Sequence, residues 1–176
     1  MDHFMEEVVV KKQRGLQNAL FALANVIMVF SAVFGLMFAQ MLFVQFSVYG
    51  LVETLVLLAI AILLFLRRDR LRTEYEYTFT NGDLDFAMVF NNQKRKSLGT
   101  MRVKNVEGFG PVDSQRFRGL INMPGLKRKN WFLNRAAKLY YFYYQKDSNK
   151  TIIIFEPSEE LVDMIRKYLP RGIYAE

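Results

Sequence analysis

Residues 16–66 decide the fold, and they read LQNALFALANVIMVFSAVFGLMFAQMLFVQFSVYGLVETLVLLAIAILLFL. The only charged residue in this stretch is Glu53. A helix needs about 20 apolar residues to cross a hydrocarbon core of about 30 Å. The stretch is too long for one crossing, so it predicts two helices, at residues 18–40 and 49–66. Backbone polar groups in lipid must bond within their own element, which leaves helices as the expected form.

Basic residues flank both predicted helices, and the connection around Gln45 and Ser47 has none. The positive-inside rule therefore predicts a multi-pass protein of the inner (plasma) membrane with both termini in the cytoplasm. A cleaved signal peptide is the competing interpretation, which we do not favour because its apolar core would have only about 7–15 residues. The residues that set this orientation are Lys11, Lys12, Arg14, Arg67, Arg68, Arg70 and Arg72.

Ser31, Gly35 and Ala39 recur at four-residue spacing and form a small-residue face on the first helix. Small residues allow two helix backbones to approach closely. The partner is either the second helix of the same hairpin, which we favour, or another copy of the chain.

Residues 1–15 precede the hairpin and carry a mixture of apolar and charged side chains. On a helix, Phe4, Met5, Val8 and Val9 would share one face, which predicts an amphipathic segment lying on the membrane surface. The alternative is a disordered leader.

The periodicity changes from helix to strand at Thr73. Tyr75, Tyr77 and Phe79 alternate with polar residues, and a second alternating run follows Asn81-Gly82. Asn-Gly suits a tight turn, so residues 73–90 predict a β-hairpin. A third strand is expected at residues 97–106.

Two apolar runs, 138–145 and 151–156, predict a second and more deeply buried hairpin. A C-terminal helix should begin after Ser158, a good N-cap residue, and stop at Pro170. Its apolar stripe is expected to pack on the sheet. The stripe consists of Leu161, Met164, Ile165, Tyr168 and Leu169.

This order of elements resembles a bacterial pleckstrin-homology-like domain, a bent β half-barrel capped by a C-terminal helix. The longer resemblance is to a domain-of-unknown-function family of small membrane proteins from Gram-positive bacteria. It rests on two transmembrane helices, the arginines after them and the stretch EYEYTFTNGDLD at 74–85. Residues 106–114, the sequence FEPS at 155–158 and Pro170-Arg171 fit as well. The resemblance implies an architecture and no activity, and the sequence predicts five strands where a full pleckstrin-like barrel has seven.

The predicted fold class is therefore α+β, with a helical hairpin followed by an antiparallel half-barrel and a capping helix. The predicted division is an interfacial segment at 1–15, a transmembrane hairpin at 16–66, a basic linker at 67–72 and a cytoplasmic domain at 73–176.

The net charge of +7 comes from the part of the chain after the hairpin, which has 21 Lys and Arg against 13 Asp and Glu. Residues 114–145 contain no acid and are expected to form a basic loop that faces lipid or a partner. Trp131 would insert at the membrane interface, or it belongs to the core. The candidate binding residues are Arg116, Arg118, Lys127, Arg128, Lys129, Trp131 and Arg135.

Catalytic and metal-binding constellations are not found in the sequence. The chain has no cysteine and one histidine, His3, so thiolate chemistry and a His-based triad are excluded within one chain. We expect no metal, no cofactor and no enzymatic activity.

The sequence favours a membrane-anchored adaptor or scaffold that binds a lipid headgroup, a peptide or a protein. An accessory subunit docking through its transmembrane helices is the alternative, with a membrane-protein partner or a homodimer. A membrane tether for nucleic acid is the third and weakest possibility.

Overall fold

The computed structural model describes residues 3–147 and 149–175, which divide into two compact units. The first unit combines the described residues of Met1–Lys12 and Glu74–Glu176, and the second is Gln13–Thr73. The fold is α+β, as predicted, but the N-terminal segment belongs to the β unit.

The unit Gln13–Thr73 is a helical hairpin. Helix α1 spans Gly15–Val44, helix α2 spans Val48–Arg67, and a short 3₁₀ helix follows at Arg68–Arg72. Both α-helices are long and apolar enough to cross a membrane. They confirm the two predicted helices, and α1 extends beyond its predicted bounds at both ends.

Small side chains lie where the two helices pack. A Cβ placed on Gly35 would be 2.9 Å from Cδ2 of Leu58, so the backbones approach closely at this point. Ser31 is buried at the same face, one turn earlier, and Ala39 is half-buried. The small-residue face of α1 therefore packs within the hairpin.

The β unit begins with a strand, β1 (Phe4–Val9), which corrects the expected amphipathic helix. β1 pairs antiparallel with β2 (Thr73–Thr80), from Phe4 opposite Thr80 to Val9 opposite Tyr75. A strand places Met5 and Val9 on the buried face and leaves Phe4 and Val8 exposed. The sequence FMEEVV does not alternate with period two, because two glutamates separate two apolar pairs. Pairing with β2 overrides this local pattern.

The first sheet has the order β1-β2-β3-β4, where β3 spans Asp83–Phe90 and β4 spans Lys94–Arg102. The β2–β3 hairpin is confirmed, and its turn residues Asn81 and Gly82 both have positive φ. β4 starts and ends earlier than predicted, because only Asn91, Asn92 and Gln93 form the turn before it. A 3₁₀ turn at Val103–Asn105 then leads to the second sheet.

The second sheet has the order β5-β7-β8-β6. Its strands are β5 (Gly108–Pro111), β6 (Lys127–Trp131), β7 (Tyr140–Lys146) and β8 (Asn149–Phe155). β7 and β8 are the predicted second hairpin. β6 pairs with β8 in parallel, so the chain crosses over between β5 and β6, and this crossover contains helix α3 (Gln115–Ile121).

The main core lies between the two sheets and is largely aromatic. Phe86 of the first sheet and Phe155 of the second meet edge to face, with ring centroids 5.6 Å apart. Helix α4 (Glu159–Arg166) closes this core with Leu161 and Ile165, both fully buried. The side chain of Ser158 accepts a hydrogen bond from the Leu161 backbone N–H, which confirms the predicted cap. Within residues 3–147 and 149–175, the two sheets do not close into a barrel.

A second apolar cluster covers the outer face of the second sheet. Tyr141 and Ile152 point away from the main core and pack under α3. The ring of Phe117 on α3 lies 5.1 Å from that of Tyr141. Covering both faces of the sheet explains why the run Tyr140–Tyr143 is buried throughout, as expected for a deeply buried hairpin.

The β unit should need β1 in order to fold stably. A fragment of residues 73–175 lacks the buried Val9 and half-buried Met5, a loss of at least about 3 kcal/mol. It also lacks Glu7, whose carboxylate accepts hydrogen bonds from the Ser158 backbone N–H at 2.9 and 3.0 Å. Joining residues 3–12 to residues 73–175 through a short Gly-Ser linker should restore the urea midpoint. Equal midpoints for the two chains would show that β1 is dispensable.

Candidate functional site

One end of the first sheet is where the chain leaves for the helical hairpin and returns from it. Val9 at the end of β1 lies opposite Tyr75 near the start of β2. Phe90 and Lys94, which close the β3–β4 turn, lie at this same end because β2 and β3 are joined by a tight turn at the other. We call it the hairpin-proximal end.

The β3–β4 turn places a run of bases at the hairpin-proximal end. Asn91 and Asn92 adopt φ values of 49° and 53°, which Asn tolerates better than most residues. β4 then starts with Lys94, Arg95 and Lys96, all exposed. These residues were not among the candidate binding residues predicted from the sequence. Three consecutive bases were the available signal, but their position depends on the strand register.

Arg95 also has a structural partner. Its guanidinium lies 2.5 Å from a carboxylate oxygen of Glu76, which is 9% exposed. Burial raises the pKa of Glu76, and the charge of Arg95 opposes that rise. Arg95 therefore stabilises a buried carboxylate as well as contributing charge to the surface.

A polar network ties the segment after β1 to the second sheet. The Lys12 backbone N–H donates to the side-chain oxygen of Asn134 at 2.8 Å, and Asn134 Nδ2 donates to the Val10 carbonyl. Glu156 accepts from the Leu133 and Asn134 backbone N–H groups and from Asn134 Nδ2. The point at which the chain departs for the hairpin is therefore held by both sheets.

Tyr77 extends this network into the core. Its hydroxyl donates to the Trp131 carbonyl and accepts from the Glu156 backbone N–H. Burial raises the pKa of Tyr77, so the hydroxyl keeps the proton that it donates. The same cause raises the pKa of the Glu7 carboxyl, next to the start of α4.

The predicted basic loop is not one loop. Arg116 and Arg118 lie on α3, the three consecutive bases lie on β6, and Arg135 follows β6 in an exposed turn. The guanidinium of Arg116 donates to the carbonyls of Glu107 at 2.7 Å and Ile173 at 3.1 Å. This side chain fastens the C-terminal segment to the β unit, a role that its sequence position did not indicate.

Lys127, Arg128 and Lys129 lie on β6, an edge strand of the second sheet. Lys127 is four residues before Trp131, so it lies about 13 Å further along the strand, away from the hairpin-proximal end. Charged side chains on an edge strand discourage pairing with another chain. This role accounts for the three bases without a ligand.

Trp131 belongs to the core, so of the two placements that the sequence left open, insertion at a membrane interface is wrong. Its side chain is 8% exposed, and its ring lies 4.7 Å from that of Phe86. The Nζ of Lys129 lies 5.2 Å from the Trp131 ring centroid and covers its outer side. Insertion into lipid would require this part of the core to unpack.

Two open grooves occur on the β unit. One, of about 570 Å³, lies where β4 turns toward the second sheet, between Arg102 and Lys146. The other, of about 620 Å³, lies on the outer face of the first sheet beside Phe4 and the Glu76–Arg95 pair. Within residues 3–147 and 149–175, no group of three or more His, Cys, Asp and Glu side chains could hold a metal ion.

The packing of Trp131 gives a direct test of this assignment. Trp131→Ala should destabilise the β unit by about 3–5 kcal/mol, the usual cost of truncating a core aromatic residue. Arg128→Ala on the same strand should change stability by less than about 0.5 kcal/mol. The urea dependence of protease resistance in the full chain measures both. Wild-type protease resistance in the Trp131 variant would show that this side chain lies at the surface.

The comparisons with known proteins agree with this architecture. No curated protein and no solved structure matches the chain significantly. A family model described as Bacterial PH-like domain (DUF6106), a domain of unknown function, matches residues 1–175. That match includes β1 and the helical hairpin as well as the two sheets. The chain therefore belongs to the Bacterial PH-like domain (DUF6106) family.

Proposed function

We propose that this protein is a non-enzymatic, membrane-anchored adaptor that displays its PH-like domain at the cytoplasmic face of the plasma membrane. There the domain binds a lipid headgroup, a peptide or a protein partner. The observation that carries the proposal is the position of the helical hairpin in the chain. It is inserted between β1 and β2, two neighbouring strands of one sheet.

Strand pairing constrains how the hairpin can cross a membrane. β1 and β2 are antiparallel, so the end of β1 and the start of β2 lie side by side, at Val9 and Tyr75. Five residues separate Val9 from α1, and the 3₁₀ helix Arg68–Arg72 separates α2 from β2. Such short connections cannot pass through a bilayer, since an extended residue spans at most about 3.6 Å. This supports an even number of crossings, with both helix ends on one side.

The flanking charges favour the cytoplasm as that side. Bases are concentrated immediately before α1 and after α2, and residues 45–47, between the helices, carry no charge. The run Lys94–Lys96 lies at the end of the first sheet from which the chain leaves for the hairpin. A base close to an anionic leaflet contributes about 1 kcal/mol of attraction. The same surface could therefore contact lipid headgroups.

The polar side chains described above also favour a binding role over a catalytic one. Their hydrogen bonds join separate segments of the fold, as is the case for Glu156, Tyr77 and Arg116. The exposed bases at the β3–β4 turn are the groups best placed to meet an outside partner.

Single cysteines test this topology cleanly, because the chain has none of its own. A cysteine replacing the exposed Lys146 should resist a membrane-impermeant maleimide in intact cells and react after permeabilisation. A cysteine replacing Ser47, between α1 and α2, should react in intact cells. His3→Cys should behave like the Lys146 variant, since β1 lies in the same unit. External labelling at Lys146 would refute the proposed orientation, and opposite results at positions 3 and 146 would refute the even number of crossings.

A further inference from the structure

The two helices of the hairpin differ in length by ten residues. At about 1.5 Å per residue, the 20 residues of α2 span about 30 Å, which matches a hydrocarbon core, and the 30 residues of α1 span about 45 Å. The helices are joined by a short connection, so the extra turns of α1 extend past the far end of α2. The Arg68 guanidinium donates to the side-chain oxygen of Asn25, which places the end of α2 beside Asn25.

Asn25 and Arg68 therefore mark the boundary between hydrocarbon and headgroups, if α2 just spans the core. Phe21 lies one helical turn before Asn25, about 6 Å further out. Arg72 contacts it there, with its guanidinium carbon 4.0 Å from the ring centroid of Phe21. The two arginines are thus held one turn apart, at the depth of the lipid phosphates.

Both side chains are anchored by the hairpin itself. Arg68 is fixed by Asn25 and lies 5.7 Å from the ring centroid of Phe65. Arg68 and Arg72 are half-buried, whereas Arg67 and Arg70 in the same segment are exposed. A planar guanidinium that stacks on an aromatic ring can still present its edge to a phosphate, and prior anchoring lowers the entropy lost on binding.

The basic residues around Arg68 and Arg72 favour one kind of lipid headgroup over another. Arg14, Arg67 and Arg70 lie in the flanking segments, and Asp69 is the only acid among residues 67–72. An ammonium-bearing headgroup would meet net repulsion from these bases. A headgroup whose only charge is its phosphate would not.

We propose that Arg68 and Arg72, held by Asn25 and Phe21, form a binding site for the phosphate of an anionic phospholipid in the inner leaflet. This inference rests on the proposed membrane anchoring and adds the ligand class and the residues that bind it. The site belongs to the hairpin and does not involve the bases of α3 or β6.

The test uses the full chain in nanodiscs of equal parts phosphatidylglycerol and phosphatidylcholine, followed by gentle detergent extraction and native mass spectrometry of the retained lipids. The wild-type chain should retain phosphatidylglycerol preferentially. Arg68→Gln with Arg72→Gln should lower that preference about tenfold, because it removes the charge-assisted hydrogen bonds from the anchored guanidinium groups. The matched control, Arg67→Gln with Arg70→Gln, removes the same charge from exposed positions and should keep the preference.

Three results would overturn the site. Equal losses in both double variants would mean diffuse attraction only, and no loss in either would mean no selective binding. Displacement of the lipid by millimolar glycerol phosphate would mean that the ligand is a free phosphate.

A second comparison guards against a misfolded variant. Asn25→Ala removes the oxygen that anchors Arg68, together with the Asn25 Nδ2 hydrogen bond to the Phe21 carbonyl, and should reduce retention. Asn18→Ala, on the exposed start of α1, should not. Equal retention in these two variants would also count against the site. Failure of the wild-type chain to enter nanodiscs would refute membrane anchoring, whereas entry without lipid preference would refute this site alone.

Discussion

The pairing of β1 with β2 is the contact on which the rest of the structure depends. These strands are neighbours in space but are separated in sequence by the whole helical hairpin. The entropic cost of closing a flexible loop of that length rises only slowly with each added residue. Folding of the hairpin shortens the effective loop further, because its two ends are brought together by α1 and α2. The hairpin and the sheet therefore favour each other's formation.

This arrangement gives the PH-like domain two covalent links at one end of one sheet. The hydrogen bonds of Asn134 with Val10 and Lys12 strengthen the attachment on the domain side.

Long periodic patterns in the sequence predicted most of the fold. The apolar stretch 16–66, the alternation after Thr73 and the stripe of α4 each extend over enough residues to exclude other structures. β1 was missed because its apolar pairs, at positions 4–5 and 8–9, fit a helical face better than an alternating strand, and only pairing with β2 overrides that pattern. β6 was missed because an edge strand with one buried residue, Trp131, has no alternating pattern. The crossover helix α3 was missed because its apolar face is short and the sheet surface on which it packs is not known from the sequence.

The candidate site was harder to predict than the fold, since charge alone does not give position. The bases of residues 114–135 seemed to form one surface, but α3, β6 and the following turn separate them. Trp131 beside three bases matched an interfacial anchor, and its register opposite Phe155 on β8 makes it core instead. Only the strand register shows that the run Lys94–Lys96 lies at the hairpin-proximal end.

Disulfide trapping in native membranes tests the central pairing most directly. Glu6 of β1 lies opposite Thr78 of β2, on the outer face of the first sheet. Opposed antiparallel residues have Cα atoms about 4.5–5.5 Å apart, within the range that a disulfide can bridge. Cysteines at positions 6 and 78 should form an intramolecular disulfide under mild oxidation. Cysteines at positions 6 and 100 should not, because Thr100 lies on β4, three strands from β1. Failure of the first pair to cross-link within one chain would contradict the insertion of the hairpin between two paired strands.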